Sequence, residues 1–133
     1  MKPRILAVDD SEDLLALMGK ALGAEYDVVT ADNGGAALMV AVADPQPTLI
    51  LLDVRMPGPT GLDLQAALRE RGIGLPVIFL TGHGDVSTSV QAMKTGAVDF
   101  LTKPVERESL FEALHRALAL DASGRKSHYE AIQ

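Results

Sequence analysis

The sequence predicts an open α/β fold, a parallel sheet with helices on both faces, and three observations carry that prediction. Five short apolar runs recur along the chain, amphipathic stretches separate them, and 133 residues is the usual size of one domain with one core. The runs are Ile5 to Val8, Val28 to Ala31, Leu49 to Leu52, Val77 to Leu80 and Val98 to Leu101. Apolar runs alternating with helical patterns read as parallel βα units. The first, third and fourth runs are continuously apolar, as strands covered on both faces must be. The second and fifth carry Thr30 and Asp99, which suits the outermost positions of the sheet.

The first helix follows from Leu14, Leu15, Met18, Ala21 and Leu22, spaced i, i+1, i+4, i+7, i+8, and the last from the same spacing in Leu110, Phe111, Leu114, Ala117 and Leu118. Both are amphipathic and face the sheet. Intermediate helices are predicted over Gly35 to Ala43, Gly61 to Arg71 and Val86 to Thr95, bounded by the turn formers Asn33-Gly34, Pro57-Gly58-Pro59 and Gly96. The stretch Ala36 to Ala43 is apolar around its whole circumference, and its outer face reads as small-residue surface in preference to a partner contact. Periodicity fades after Asp121, so residues 1–121 read as one domain and 122–133 as a tail or the start of a linker.

Composition narrows the function. Eighteen acidic against twelve basic side chains give a net charge of −6, which repels phosphate backbones and anionic membranes, so no direct nucleic-acid or membrane binding is expected. Zero cysteines exclude disulfides, zinc-thiolate sites and a cysteine nucleophile. The longest apolar run, Ala36 to Ala43, is far short of the roughly 20 residues that span a bilayer, and the N-terminus carries no apolar signal segment. A cytoplasmic location is the expectation.

In open α/β sheets, functional groups gather beyond the carboxyl ends of the strands. Those ends carry Asp9-Asp10, Asp53, Thr81-Gly82 and Thr102-Lys103-Pro104. Taken singly, each has an ordinary explanation: Asp9, Asp10 and Asp13 can cap a helix, Asp53 and Thr81 can be turn residues, and Lys103 can be a solvated charge. Their convergence is different. Three carboxylates brought together repel one another unless a cation intervenes, and oxygen ligands without His or Cys suit Mg2+, which also binds phosphate oxygens. The edge therefore looks built for a metal and a phosphoryl group. His83, His115 and His128 share no ligand spacing and are assigned to no site, and Gly34-Gly35 lacks the phosphate-loop pattern.

Four segments in this order resemble the receiver domains of two-component response regulators, over residues 3 to 120. They are Val8-Asp9-Asp10; Leu52-Asp53-Val54-Arg55-Met56-Pro57-Gly58 with Gly61; Thr81-Gly82-His83-Gly84-Asp85; and Gly96 through Pro104. The match is most similar to receivers of transcriptional regulators of the nitrogen-regulation and nitrogen-fixation types. The resemblance implies a flavodoxin-like (CheY-like), doubly wound sheet of order 2-1-3-4-5 with five helices. It implies that Asp53 is the phosphoacceptor, that Asp9, Asp10, Asp53 and the backbone carbonyl of Arg55 hold Mg2+, and that Val54, Thr81, Gly82 and Lys103 bind the phosphoryl group. Thr81 and Phe100 would form the switch, and Lys103-Pro104 would be a cis peptide.

The same resemblance implies a sensor histidine kinase as donor, an output domain or target protein as recipient, and a transcriptional output. Such a protein is a signalling switch that catalyses its own phosphotransfer and slow dephosphorylation, and so is not an enzyme in the usual sense. Arg55 and His83, two residues beyond the acceptor and the threonine, would flank the path of the hydrolytic water. A readout surface over Val86 to Thr95, Val98 to Leu101 and the helix after Glu106 carries Lys94, Asp99, Arg107 and Glu108, charges of mixed sign that a phosphorylation-dependent homodimer could pair.

Three rivals fare worse. An aspartate-nucleophile phosphatase wants a second aspartate where Arg55 stands. A flavodoxin-like flavin site wants hydroxyls and glycines where Asp9-Asp10-Ser11-Glu12-Asp13 would repel the flavin phosphate. An unphosphorylated interaction module has no need of the intact acidic pair, Asp53, Thr81 and Lys103.

Overall fold

The computed structural model of the protein describes residues 3–43, 46–53, 61–82, 94 and 97–132. Five strands, β1 (Arg4–Val8), β2 (Asp27–Ala31), β3 (Leu49–Asp53), β4 (Val77–Thr81) and β5 (Asp99–Thr102), pair in parallel in the order β2-β1-β3-β4-β5. Four helices lie among the described residues: α1 (Glu12–Leu22), α2 (Gly34–Val42), α3 (Gly61–Glu70) and α4 (Arg107–Ile132). The further helix expected over Val86 to Thr95 falls outside the described residues, apart from Lys94. Each expected strand is present within one residue, and β2 and β5 are the sheet's edges.

Burial explains the order. Every residue of β3 and β4 is buried, as are Ile5 to Val8 of β1, because these strands have neighbours on both sides and helices on both faces. The edge strands are only partly covered. Alternate side chains divide between two cores. Leu6, Val8, Ile50, Leu52, Val77 and Phe79 pack with Ala37 and Ala41 of α2 and Leu64 and Leu68 of α3. Ile5, Ala7, Leu49, Leu51, Ile78 and Leu80 point the other way, onto Leu15, Met18 and Leu22 of α1 and Leu110, Ala113, Leu114 and Ala117 of α4. Leu51 is fully buried in the central strand. Leu51→Ala is expected to lower stability by about 3 kcal/mol through lost transfer energy and a cavity. A urea melt showing a loss under about 1 kcal/mol would mean that the site collapses around the void.

Helix ends follow local chemistry. Ser11 caps α1, its Oγ accepting the Leu14 N–H at 3.3 Å, and Asn33 caps α2 by accepting the Ala36 N–H at 2.8 Å. Gly72 ends α3 in the left-handed region at φ 73°, which lets the Ile73 N–H reach the Leu68 carbonyl at 2.9 Å. The outer face of α2 exposes Met39 (73%) and Val42, so it is not made of small residues alone. The last helix continues past Asp121 to Ile132, and thus gives residues 122–132 a helical course. Among the described residues no helix is long and apolar enough to cross a membrane.

Candidate functional site

Parallel strands send all their C-terminal ends to one edge, and there β1, β3, β4 and β5 deliver the chemical groups. Asp9 follows β1, and its N–H extends the β1–β2 pairing by donating to the Ala31 carbonyl at 3.2 Å. Asp53 is the last residue of β3, one position beyond the run of leucines. Lys103 follows β5, and its N–H donates to the Thr81 carbonyl at 2.7 Å, which ties the lysine to the end of β4. From that anchor its Nζ stands 2.8 Å from Asp9 Oδ2 and 3.4 Å from Asp53 Oδ2. Asp9 is 0% exposed and Asp53 4%, whereas Asp10 faces solvent. Asp9, Asp10 and Asp53 each offer an oxygen within 4.8 Å of the others.

Among the described residues, one ammonium, Lys103, contacts two of the three clustered carboxylates, Asp9 and Asp53. The Lys103 side chain is partly buried, which lowers its pKa, but contact with Asp9 and the charges of Asp53 and Asp9 outweigh burial and hold the pKa above the ordinary lysine value. A raised lysine pKa means that the ion pairs stabilise the fold fully at neutral pH and lose that effect only in the alkaline range. Asp9 Oδ1 accepts the Ser11 N–H at 2.9 Å. Asp9 Oδ2 is buried and faces Lys103 closely, yet receives no aligned hydrogen bond, so a lone pair stays available to a cation. An oxygen-only set with a free lone pair and excess negative charge fits a hard divalent cation. In the absence of such a cation, Asp10→Asn is expected to raise stability by about 0.5–1 kcal/mol by relieving repulsion. A lower melting temperature for that variant would count against a charge-strained cluster.

Thr81 is buried at the end of β4, and its Oγ1 donates to the Leu101 carbonyl at 3.4 Å, a long bond toward β5. Phe100 of β5 is 39% exposed. Its N–H donates to Asp99 Oδ1 at 2.8 Å, while Asp99 Oδ2 pairs with Arg116 at 2.8 Å, linking β5 to α4. The Lys103-Pro104 peptide is cis, and Gly82 is half-buried. The structure thus brings Asp9, Asp10, Asp53 and Lys103 together, with Thr81 at the end of the adjoining strand. Val54, Arg55 and His83 lie outside the described residues.

Two features went unread in the sequence. The helix cap is Ser11 and not one of the neighbouring aspartates. Serine is as good a cap as aspartate, and a serine standing immediately before Glu12-Asp13 was the available signal. The Asp99–Arg116 pair joins residues far apart in sequence and left no local signal.

Comparison with known proteins agrees with the geometry. Residues 5–115 match the response regulator receiver domain family. The chain belongs to that family. Response regulator protein TodT of Pseudomonas putida is 49% identical over 92 residues, which cover 62% of this chain and 40% of TodT. Transcriptional regulatory protein GlrR of Escherichia coli is 40% identical over 130 residues, covering 96% of this chain and 29% of GlrR. Among solved structures, NtrX from Brucella abortus superposes with a TM-score of 0.88 at 33% identity, over 96% of this chain and 30% of NtrX. The receiver therefore spans less than half the length of these relatives. Receivers of this family act as signalling switches, phosphorylated by histidine kinases and coupled to output domains.

Proposed function

We propose that this receiver accepts a phosphoryl group from a sensor histidine kinase onto Asp53, in the presence of Mg2+, and passes the resulting change to a transcriptional output. The supporting observation is the Asp53 carboxylate, nearly buried in an acidic cluster and 3.4 Å from the Lys103 ammonium. A carboxylate oxygen of Asp53 attacks phosphorus, the bond to the donor imidazole nitrogen breaks, and the electron pair leaves with that nitrogen, giving an acyl phosphate. Lys103 lies where it can balance charge on the equatorial oxygens of a loose transition state. Thr81 and the backbone at Val54 and Gly82 complete the phosphoryl contacts. Asp9, Asp10, Asp53 and the Arg55 carbonyl would hold Mg2+, which supplies charge neutralisation on the transferring group.

The switch reading gives Thr81 and Phe100 the transmitting role. A phosphoryl group that draws the Thr81 hydroxyl away from the Leu101 carbonyl frees Phe100 to turn inward, and the outer surface changes with it. That surface, with Lys94, Asp99, Arg107 and Glu108, is the place for a phosphorylation-dependent homodimer. Arg55 and His83 would slow hydrolysis by obstructing in-line attack. Residues 122–133 would begin the connection to an output module, and the setting would be the cytoplasm.

Incubation with acetyl phosphate and Mg2+ tests the assignment. One phosphoryl group per chain, labile to hydroxylamine, is the expected product by intact mass. A folded protein that gains no mass, and binds no beryllium fluoride in Mg2+, is an interaction module and not a phosphoacceptor.

A further inference from the structure

Asp9 is the only fully buried carboxylate of the cluster, and each of its oxygens has a close neighbour. Lys103 stands 2.8 Å from Oδ2, and the Ser11 backbone N–H donates to Oδ1 at 2.9 Å. Ser11 has a second task on another group, because its Oγ accepts the Leu14 N–H and caps α1. One residue thus touches the acidic cluster through its backbone and the first turn of α1 through its side chain. A buried carboxylate held at one oxygen by a fixed donor has its orientation set before a ligand arrives, and partners of this kind typically change metal affinity by about 10–100-fold.

We propose that Ser11 is a positioning residue: its backbone N–H presets the Asp9 carboxylate for the cation, and its hydroxyl makes the first turn of α1 respond to cation binding. The proposal rests on the reading of Asp9 as a cation ligand and deepens it. The Ser11 N–H fixes Oδ1, and with Oδ1 fixed the buried Oδ2 faces Lys103 and the cluster. Coupling is reciprocal, so a cation that steadies Asp9 steadies the Ser11 backbone and, through Oγ, the Leu14 amide at the start of α1. Lys103 pins the other oxygen from a different element, and so cannot carry this effect to α1.

The two roles separate by mutation. Ser11→Ala deletes the hydroxyl and keeps the N–H, while Ser11→Pro deletes both, at a position whose φ of −89° is somewhat more extended than the roughly −65 ± 15° usual for proline. Titration calorimetry with Mg2+ on the full chain should show a Kd within about 2-fold of wild type for Ser11→Ala and at least about 10-fold weaker for Ser11→Pro. Both variants lose the cap, so a lower melting temperature common to the two does not explain a difference in Kd. Equal Kd values for the two variants would overturn the proposal. Should Ser11→Pro not fold, amide exchange in the wild type decides: saturating Mg2+ should slow the Ser11 and Leu14 amides together by several-fold, and unchanged exchange at both overturns the proposal. Absence of Mg2+ binding by the wild type would instead remove the reading of Asp9 as a ligand.

Discussion

Asp53→Asn should remove hydroxylamine-labile phosphorylation, by at least about 1000-fold in rate with either acetyl phosphate or a phospho-histidine donor, because an amide cannot serve as the nucleophile. The substitution is nearly isosteric and neutralises one of the three clustered carboxylates, two of which Lys103 contacts. The Lys103–Asp9 pair at 2.8 Å survives it. The fold should therefore persist, with a melting temperature equal to or above that of the wild type in the absence of Mg2+. This pairing of results excludes the trivial explanation that labelling fails because the protein unfolds. Residual labelling near the wild-type rate would move the acceptor to Asp9 or Asp10. Those are the other carboxylates at the edge, and Asp9, buried against Lys103, is the less accessible of the two.

Most of the fold was legible because burial on both faces leaves a strong signature. Leu49 to Leu52 and Val77 to Leu80 are apolar without interruption, and both proved fully buried central strands. Thr30 and Asp99 marked the edges correctly, since only an edge strand tolerates a polar side chain on a partly open face. The amphipathic spacing also located the buried faces of α1 and α4, although Leu14, Phe111 and Leu118 proved only partly buried. The rule that parallel strands present their carboxyl ends together then gathered Asp9, Asp10, Asp53, Thr81 and Lys103 from positions up to 94 residues apart. What the sequence withheld were the contacts made through backbone atoms and across the fold. Nothing in Asp9-Asp10-Ser11 tells which aspartate is buried, because β1 continues straight into Asp9 and the chain turns only afterwards. The course of α4 beyond Asp121 was also illegible: its periodicity fades there, but loss of amphipathicity ends a buried face and not a helix.

Lys103→Met should destabilise the protein by about 2–4 kcal/mol in the absence of divalent cations, because it strands a charge inside the fold. Methionine keeps most of the length and apolar volume of the lysine stem, so lost packing contributes little. What changes is the environment of Asp9, which is 0% exposed and loses the cation at 2.8 Å, leaving the Ser11 N–H as its remaining described partner. Asp53 loses the same charge at 3.4 Å. The penalty should shrink in saturating Mg2+, since an ion bound only by the folded state adds stability by mass action, and the more negative variant cluster attracts it more strongly. Urea melts of both proteins at neutral pH, with and without Mg2+, measure the two gaps directly. A variant as stable as the wild type without Mg2+ would mean that water reaches Asp9 and screens it. A gap that Mg2+ leaves unchanged would mean that the cation and Lys103 do not act on the same carboxylates.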